Sequence, residues 1–137
     1  MSVLVDTSVW SLSLRGRPRA TVDESVVTAL RELIRTGQAA IIGVIRQELL
    51  SGVRDAAQFS ALRDQLRAFP DLALDTDDFE NAAACANRCR AAGVQGSTVD
   101  VLICAVAMRR GMQVFTTDKD FARYAAVLEV RLFRLLD

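Results

Sequence analysis

Four acidic residues of this chain stand where chemistry is expected: Asp6, Glu48, Asp100 and Asp118. Asp6 follows the apolar run Val3-Leu4-Val5 without an intervening residue, and Asp118 follows Val114-Phe115-Thr116-Thr117. Both runs read as buried parallel strands, and sheets of that kind collect function at the carboxyl ends of their strands. Asp100 opens a helical stretch behind the polar turn Gln95-Gly96-Ser97-Thr98, and Glu48 lies on a helix just after a second strand. Gathered at one sheet edge, four carboxylates repel one another and resist desolvation, so such a cluster requires a compensating charge. The chain has no His, and its single Lys, Lys119, cannot balance four acids. A hard divalent cation with oxygen ligands, Mg2+ or Mn2+, is the natural answer. An ion of this kind acidifies water and neutralises charge on a phosphate in transfer, which suits phosphodiester hydrolysis.

Each acid can also serve structure alone. Asp6, before Thr7 and Ser8, can cap the next helix. Asp100 can complement a helix dipole. Glu48 can lie on a solvated helix face, and Asp118-Lys119-Asp120 is common turn chemistry. Periodicity alone does not decide between the two sets of readings.

Composition narrows the field. At 137 residues the chain fits one domain, residues 1–137, and 51% hydrophobic content supports a core. Seventeen basic residues balance seventeen acidic ones, so no global basic field advertises nucleic acid. The absence of His removes His-ligated zinc, Ser-His-Asp triads and a His general base. Three Cys with no C-x-x-C exclude a disulfide framework and a zinc knuckle; Cys85 and Cys89, four apart on one helix, read as core. No apolar run approaches the ~20 residues that span a bilayer. The start Met1-Ser2-Val3-Leu4-Val5-Asp6 lacks the basic region and cleavage site of a signal peptide. With unpaired thiols, the expected location is the cytoplasm, with no membrane association.

The elements that must position the acids alternate between strand and helix. Strands are expected at 3–5, 39–42, 72–74, 114–117 and 130–133. Helices are expected at 23–35, 44–53, 55–68, 77–92 and 99–110, with a short one from Phe121. Gly37, Gly93 and Gly111 mark helix ends, Pro70 stops the third helix, and Asp77 with Glu80 is the expected capping pair. The segment from Arg15 to Arg19 reads as a loop. Strands separated by helices give an α/β fold with a mostly parallel sheet of about four to five strands, flanked by helices.

In order along the chain, four motifs resemble those of the PIN-domain ribonucleases, especially the VapC toxins of bacterial toxin–antitoxin pairs. They are Asp6-Thr7-Ser8-Val9-Trp10, Gln47-Glu48-Leu49-Leu50-Ser51-Gly52, the helix Val99-Asp100-Val101-Leu102-Ile103-Cys104-Ala105-Val106-Ala107, and Thr116-Thr117-Asp118-Lys119-Asp120-Phe121. Any one is weak; four in the right order are strong. Cys104 stands where the family often has Ala, which touches no carboxylate.

The resemblance implies a single PIN-like domain and endonucleolytic, Mg2+- or Mn2+-dependent cleavage of RNA that leaves a 3′-hydroxyl and a 5′-phosphate. Asp6, Glu48, Asp100 and Asp118 match the family's metal-site acids, and Asp120 matches an additional, more weakly assigned one. Asp6, Asp100 and Asp118 would hold the metal, while Glu48 would bind a second ion or orient water. Thr7, Ser8, Thr116 and Thr117 could hydrogen-bond a carboxylate or a phosphate oxygen. Arg15, Arg17 and Arg19, together with Arg46 near Glu48, are candidate phosphate contacts. The resemblance further implies a homodimer and a small VapB-like antitoxin whose tail occupies a groove near the active site. Two other readings compete. A PIN-fold RNA- or ribosome-binding module without catalysis has no reason to keep four mutually repelling charges. A phosphoacceptor receiver domain wants an acid pair near the end of its first strand, where this chain has only Val3, Leu4 and Val5.

Overall fold

A computed structural model describes residues 2–14 and 21–135, with the side chains of Thr21 and Val22 outside that description. Arg15, Arg17 and Arg19, with the loop expected of residues 15–19, lie outside the described residues. Four strands, β1 (Val3–Val5), β2 (Ala39–Ala40), β3 (Gln113–Phe115) and β4 (Arg131–Leu132), form one parallel sheet in the order β2-β1-β3-β4. Among the described residues, seven helices flank it: α1 (Thr7–Leu14), α2 (Thr21–Arg35), α3 (Gly43–Leu50), α4 (Ala56–Leu66), α5 (Thr76–Ala91), α6 (Thr98–Arg109) and α7 (Asp120–Val127).

The strand order fixes where a site can form. From β1 the chain crosses to β2 on one side, then returns past β1 to β3 and β4 on the other. Right-handed crossovers therefore send the connecting helices to opposite faces and leave a crevice where β1 meets β3, at their carboxyl ends. The register is level there, with Val5 opposite Phe115, so Asp6 and Thr116 leave the sheet side by side.

Burial follows the apolar pattern. Val3, Leu4 and Val5 are all buried, as is every residue of α6 from Val101 to Ala107. A helix apolar all round must be central, and α6 packs against α5, α7, β1 and β3. Trp10 lies in the core, its indole Nε1 donating to the Val5 carbonyl at 3.0 Å and its ring 5.0 Å from that of Phe69. Leu12 and Leu14 pack partly buried against the same core, where all three cysteines are buried thiols. Gly37 and Gly93 end their helices with φ of 71° and 76°, a conformation that needs no Cβ. Among the described residues, no helix is long and apolar enough to cross a membrane.

The expected strand at 72–74 is absent. Only an isolated parallel bridge, Ile41 to Asp71, extends the sheet there. The segment leading to it is held by Arg46, whose guanidinium binds Asp71 Oδ1 at 3.0 Å and the Leu66 carbonyl at 3.0 Å, and also holds the Phe69 carbonyl. Arg46 is thus spent on pinning the segment after α4 to α3 and is no candidate for phosphate contact. The cap of α5 also differs from expectation. Asp75 and Asp78 form the capping box, with Asp78 N–H donating to Asp75 Oδ1 at 3.2 Å and Asp75 N–H to Asp78 Oδ2 at 2.9 Å. Acids at 75, 77, 78 and 80 leave the frame ambiguous in sequence; Arg110 settles it by gripping buried Asp78 through both oxygens, at 2.6 and 3.0 Å.

Candidate active site

Asp6 sits at the mouth of the β1/β3 crevice. Its N–H donates to the Phe115 carbonyl at 2.8 Å, the last rung between the strands, and its own carbonyl accepts from Val9 and Trp10 to start α1. The residue is almost wholly buried, at 5% exposure. Its Oδ2 accepts from the Ser8 and Thr116 hydroxyls, each at 2.8 Å. The capping role is thus partly right, although the Ser8 N–H reaches Oδ2 only at 3.4 Å.

Proton bookkeeping accounts for the hydroxyls. Ser8 Oγ and Thr116 Oγ1 lie 3.3 Å apart, but each has one proton and each donates it to Asp6. Both oxygens are free to accept, Ser8 Oγ from the Thr117 N–H and Thr116 Oγ1 from the Asp118 N–H, each at 3.0 Å. Two side chains stitch residues 116–118 onto the start of α1. This is why β3 ends at Phe115 rather than at Thr117: Thr116 and Thr117 leave the ladder to serve Asp6 and Ser8.

Asp118 follows in the same turn, exposed, its Oδ1 accepting from the Asp120 N–H at 2.9 Å as α7 begins. Asp100 arrives from the opposite direction, in the first turn of α6, where Ser97 caps the helix by accepting from the Asp100 N–H at 3.0 Å. Its Oδ2 accepts from the Tyr124 hydroxyl at 2.9 Å. Burial pushes the Asp100 carboxyl above its ordinary range; the bonds from Tyr124 and Ser97 draw it back, and the negative charges of Asp6 and Asp118 raise it again. The three aspartates therefore share one electrostatic neighbourhood. Burial, then the neighbouring Asp100, likewise push up the Cys104 thiol beneath them.

Glu48 stands beside this group. Thr7 Oγ1 donates to Glu48 Oε1 at 2.8 Å, tying α3 to the first residue of α1. Glu48 and Val99, the neighbour of Asp100, line one small pocket, so α3 faces the start of α6 across it. Glu48 also borders a groove of about 730 Å3 between α1, α3 and α4, whose lining includes Leu14, Leu49, Val53 and Leu62. Asp120 lies further out, exposed and 3.7 Å from Arg123. Among the described residues, no ion pair reaches Asp6, Glu48, Asp100 or Asp118, and no three Asp, Glu or Cys side chains already converge as an ion-binding set. The donors are all hard oxygens, which fits Mg2+ or Mn2+.

Tyr124 is the site residue that the motif pattern missed. Its signal was available: it is the chain's one tyrosine, four residues past Asp120 on an amphipathic helix.

Residues 3–127 match the family model of the PIN domain. The chain is 31% identical over 134 residues to VapC ribonuclease Mb1587 of Mycobacterium bovis, an alignment covering 94% of this chain and 96% of that one, and equally so to Ribonuclease VapC11 of Mycobacterium tuberculosis. Its fold is similar to the crystal structure of FitAcB from Neisseria gonorrhoeae, with a TM-score of 0.77 at 23% identity over 96% of both chains. It is also similar to VapBC2 from Rickettsia felis bound to promoter DNA, with a TM-score of 0.78 at 17% identity over 97% of this chain and 98% of that one. The chain belongs to the PIN-domain family. Within that family it is of the VapC type.

Proposed function

We propose that this chain is the toxin of a toxin–antitoxin pair: a cytoplasmic endoribonuclease that hydrolyses RNA phosphodiester bonds with Mg2+ or Mn2+ held by Asp6, Asp100 and Asp118. The observation that supports the reading is that Asp6 at the end of β1, Asp118 after β3 and Asp100 at the start of α6 lie near enough for the charges of the first two to raise the third, with no ion pair to any of them among the described residues. The relatives of matching length are named ribonucleases, which supports the substrate class.

Bound there, the ion would supply Lewis acidity toward the phosphoryl oxygens and would lower the pKa of a bound water below that of bulk water. Ser8 and Thr116 fix the Asp6 carboxylate through Oδ2 and leave Oδ1 for the ion. Tyr124 fixes Asp100 in the same way. Glu48, anchored at Oε1 by Thr7, keeps Oε2 to orient the attacking water or to hold a second ion. Water oxygen bonds to phosphorus as the P–O3′ bond breaks, and the departing 3′-oxygen takes a proton. Asp120, already beside Arg123, contributes at most at the rim. Arg15, Arg17 and Arg19 supply phosphate contacts to a site that otherwise repels RNA. The VapB-like antitoxin lays its tail in the partly apolar groove beside Glu48, and the toxin itself pairs as a homodimer.

The test is metal-dependent cleavage of mixed RNA by the wild type, Asp6→Asn and Asp100→Asn. The expected result is activity with Mg2+ or Mn2+, loss with EDTA, and loss in both variants. Activity that survives both substitutions and EDTA sinks the reading.

A further inference from the structure

Tyr124 combines two properties that packing alone does not require. Its ring is almost fully buried, at 1% exposure, in the core behind α6, yet its hydroxyl emerges at the acidic site and donates to Asp100 Oδ2 at 2.9 Å. The ring is held on several sides. Phe121 meets it edge-on, centroids 5.2 Å apart at 77°. Gly96, in the loop before α6, passes so close that a Cβ there would lie 3.0 Å from both Tyr124 Cε1 and Val101 Cγ1. A side chain at that point would make Tyr124 or Val101 shift by a few tenths of an ångström, so the glycine lets the loop sit directly against the ring.

We infer that Tyr124 is a positioning residue for metal binding: seated against Gly96 and Phe121, its hydroxyl occupies Oδ2 of Asp100 and presents Oδ1 to the ion. A core-packing role would be met as well by phenylalanine, which fills the same volume. The hydroxyl is at the site because Asp100, half-buried at the head of a helix, has no basic partner among the described residues to hold its carboxylate in one rotamer. A buried, immobile phenol does so without neutralising it, which leaves the negative charge available to a cation. Groups that orient metal ligands in this way typically contribute about 10- to 100-fold in metal affinity.

The inference rests on Asp100 as an ion ligand, and the experiment separates the two. Mn2+ is titrated calorimetrically, without RNA, into the wild type, Tyr124→Phe, Gly96→Ala and Asp100→Asn. The expected result is loss of binding in Asp100→Asn and binding weakened about tenfold or more in Tyr124→Phe. Gly96→Ala, which keeps the phenol but crowds its ring, weakens binding in the same direction, and the combined Gly96→Ala, Tyr124→Phe protein, titrated alongside, binds no worse than Tyr124→Phe. In RNA cleavage at limiting Mn2+, kcat of Tyr124→Phe falls with KM unchanged, and saturating Mn2+ restores it. Wild-type or tighter binding in Tyr124→Phe, with binding lost in Asp100→Asn, overturns the positioning role alone; a kcat loss that saturating Mn2+ does not restore overturns it too. Unaltered binding in Asp100→Asn overturns the metal-site reading itself.

Discussion

Thr116→Val tests the claim that hydroxyls, rather than cations, hold the acidic site together in the absence of metal. Valine keeps the shape of threonine and removes one oxygen, which donates to Asp6 Oδ2 at 2.8 Å and accepts from the Asp118 N–H at 3.0 Å. A hydrogen bond to a charged group contributes about 1.5–3 kcal/mol when buried. Asp6 is buried but Thr116 only half so, and water can replace the partner of exposed Asp118. The loss is therefore placed at about 1.5 kcal/mol, the low end of that range. At about 2.1 cal/mol/K of unfolding entropy per residue, a chain of 137 residues loses about 3.5 °C per kcal/mol, so Tm falls by about 5 °C. Ser8→Ala removes the other donor to the same oxygen and the acceptor of the Thr117 N–H, and carries a similar loss. Because both hydroxyls converge on one carboxylate oxygen, the double variant departs from additivity by about 0.5 kcal/mol or more. The assay is thermal and urea unfolding of the two single variants, the double variant and Thr116→Ser, which keeps the hydroxyl and stays near wild type. A Thr116→Val protein that melts within about 1 °C of wild type, or strict additivity in the cycle, refutes the shared clamp on Asp6.

Three further outcomes are expected. Mn2+ at about 100 times its Kd raises the wild-type Tm by about 9 °C, from about 2.7 kcal/mol of linkage, and leaves Asp6→Asn unmoved, as differential scanning fluorimetry reads. Asp78→Asn costs about 3 kcal/mol at neutral pH, because it leaves the Arg110 guanidinium facing a neutral group at a buried position. The Arg110 hydrogen bonds hold the Asp78 carboxyl well below the ordinary range, so its stabilisation is complete above the unfolded value of about 4 and fades as pH falls toward the lower folded value; urea titrations must show the gap between wild type and variant closing only on the acid side of about pH 4. Replacing Arg15, Arg17 and Arg19 together by Ala lowers the slope of log K against log[salt] for single-stranded RNA by about 2, and an unchanged slope removes these residues from the interface.

Most of this fold was legible along the chain, and where it was not the cause is long-range. The end of β1 at Asp6 could be read because a buried strand that runs into an acid must end at a polar edge of the sheet. The extent of β3 could not, since Thr116 and Thr117 have good strand propensity and leave the sheet only for partners more than 100 positions away. Arg46 misled for the same reason: proximity to Glu48 in sequence suggested phosphate, whereas Asp71 and the carbonyls of Leu66 and Phe69 claim it in space. The α5 cap was misframed because Arg110, 32 residues on, chooses among four neighbouring acids. Tyr124 escaped notice because a tyrosine at a core-facing helix position reads as packing; its spacing from Asp120 was a signal, but the partner of its hydroxyl is visible only in space.

The chain treats its acids in two ways, and the contrast argues for an ion more strongly than the cluster alone. Several carboxylates that serve structure are met by arginines: Asp71 by Arg46, Asp75 and Asp78 by Arg109 and Arg110, Glu32 by Arg35. Arginine is abundant, so pairing Asp6, Asp100 and Asp118 in the same way was open to this sequence. Instead hydroxyls and backbone N–H groups hold them, donors that orient a carboxylate while leaving its charge intact. An arginine in the crevice would stabilise the empty protein and compete with any cation for the same oxygens. On the proposed reading, a site stabilised without neutralisation is less stable than an arginine-paired one, and binding of a dication would return that deficit. The same deficit defines how a protein partner could silence the site: a guanidinium inserted into the crevice would supply the missing charge and exclude the ion in one step.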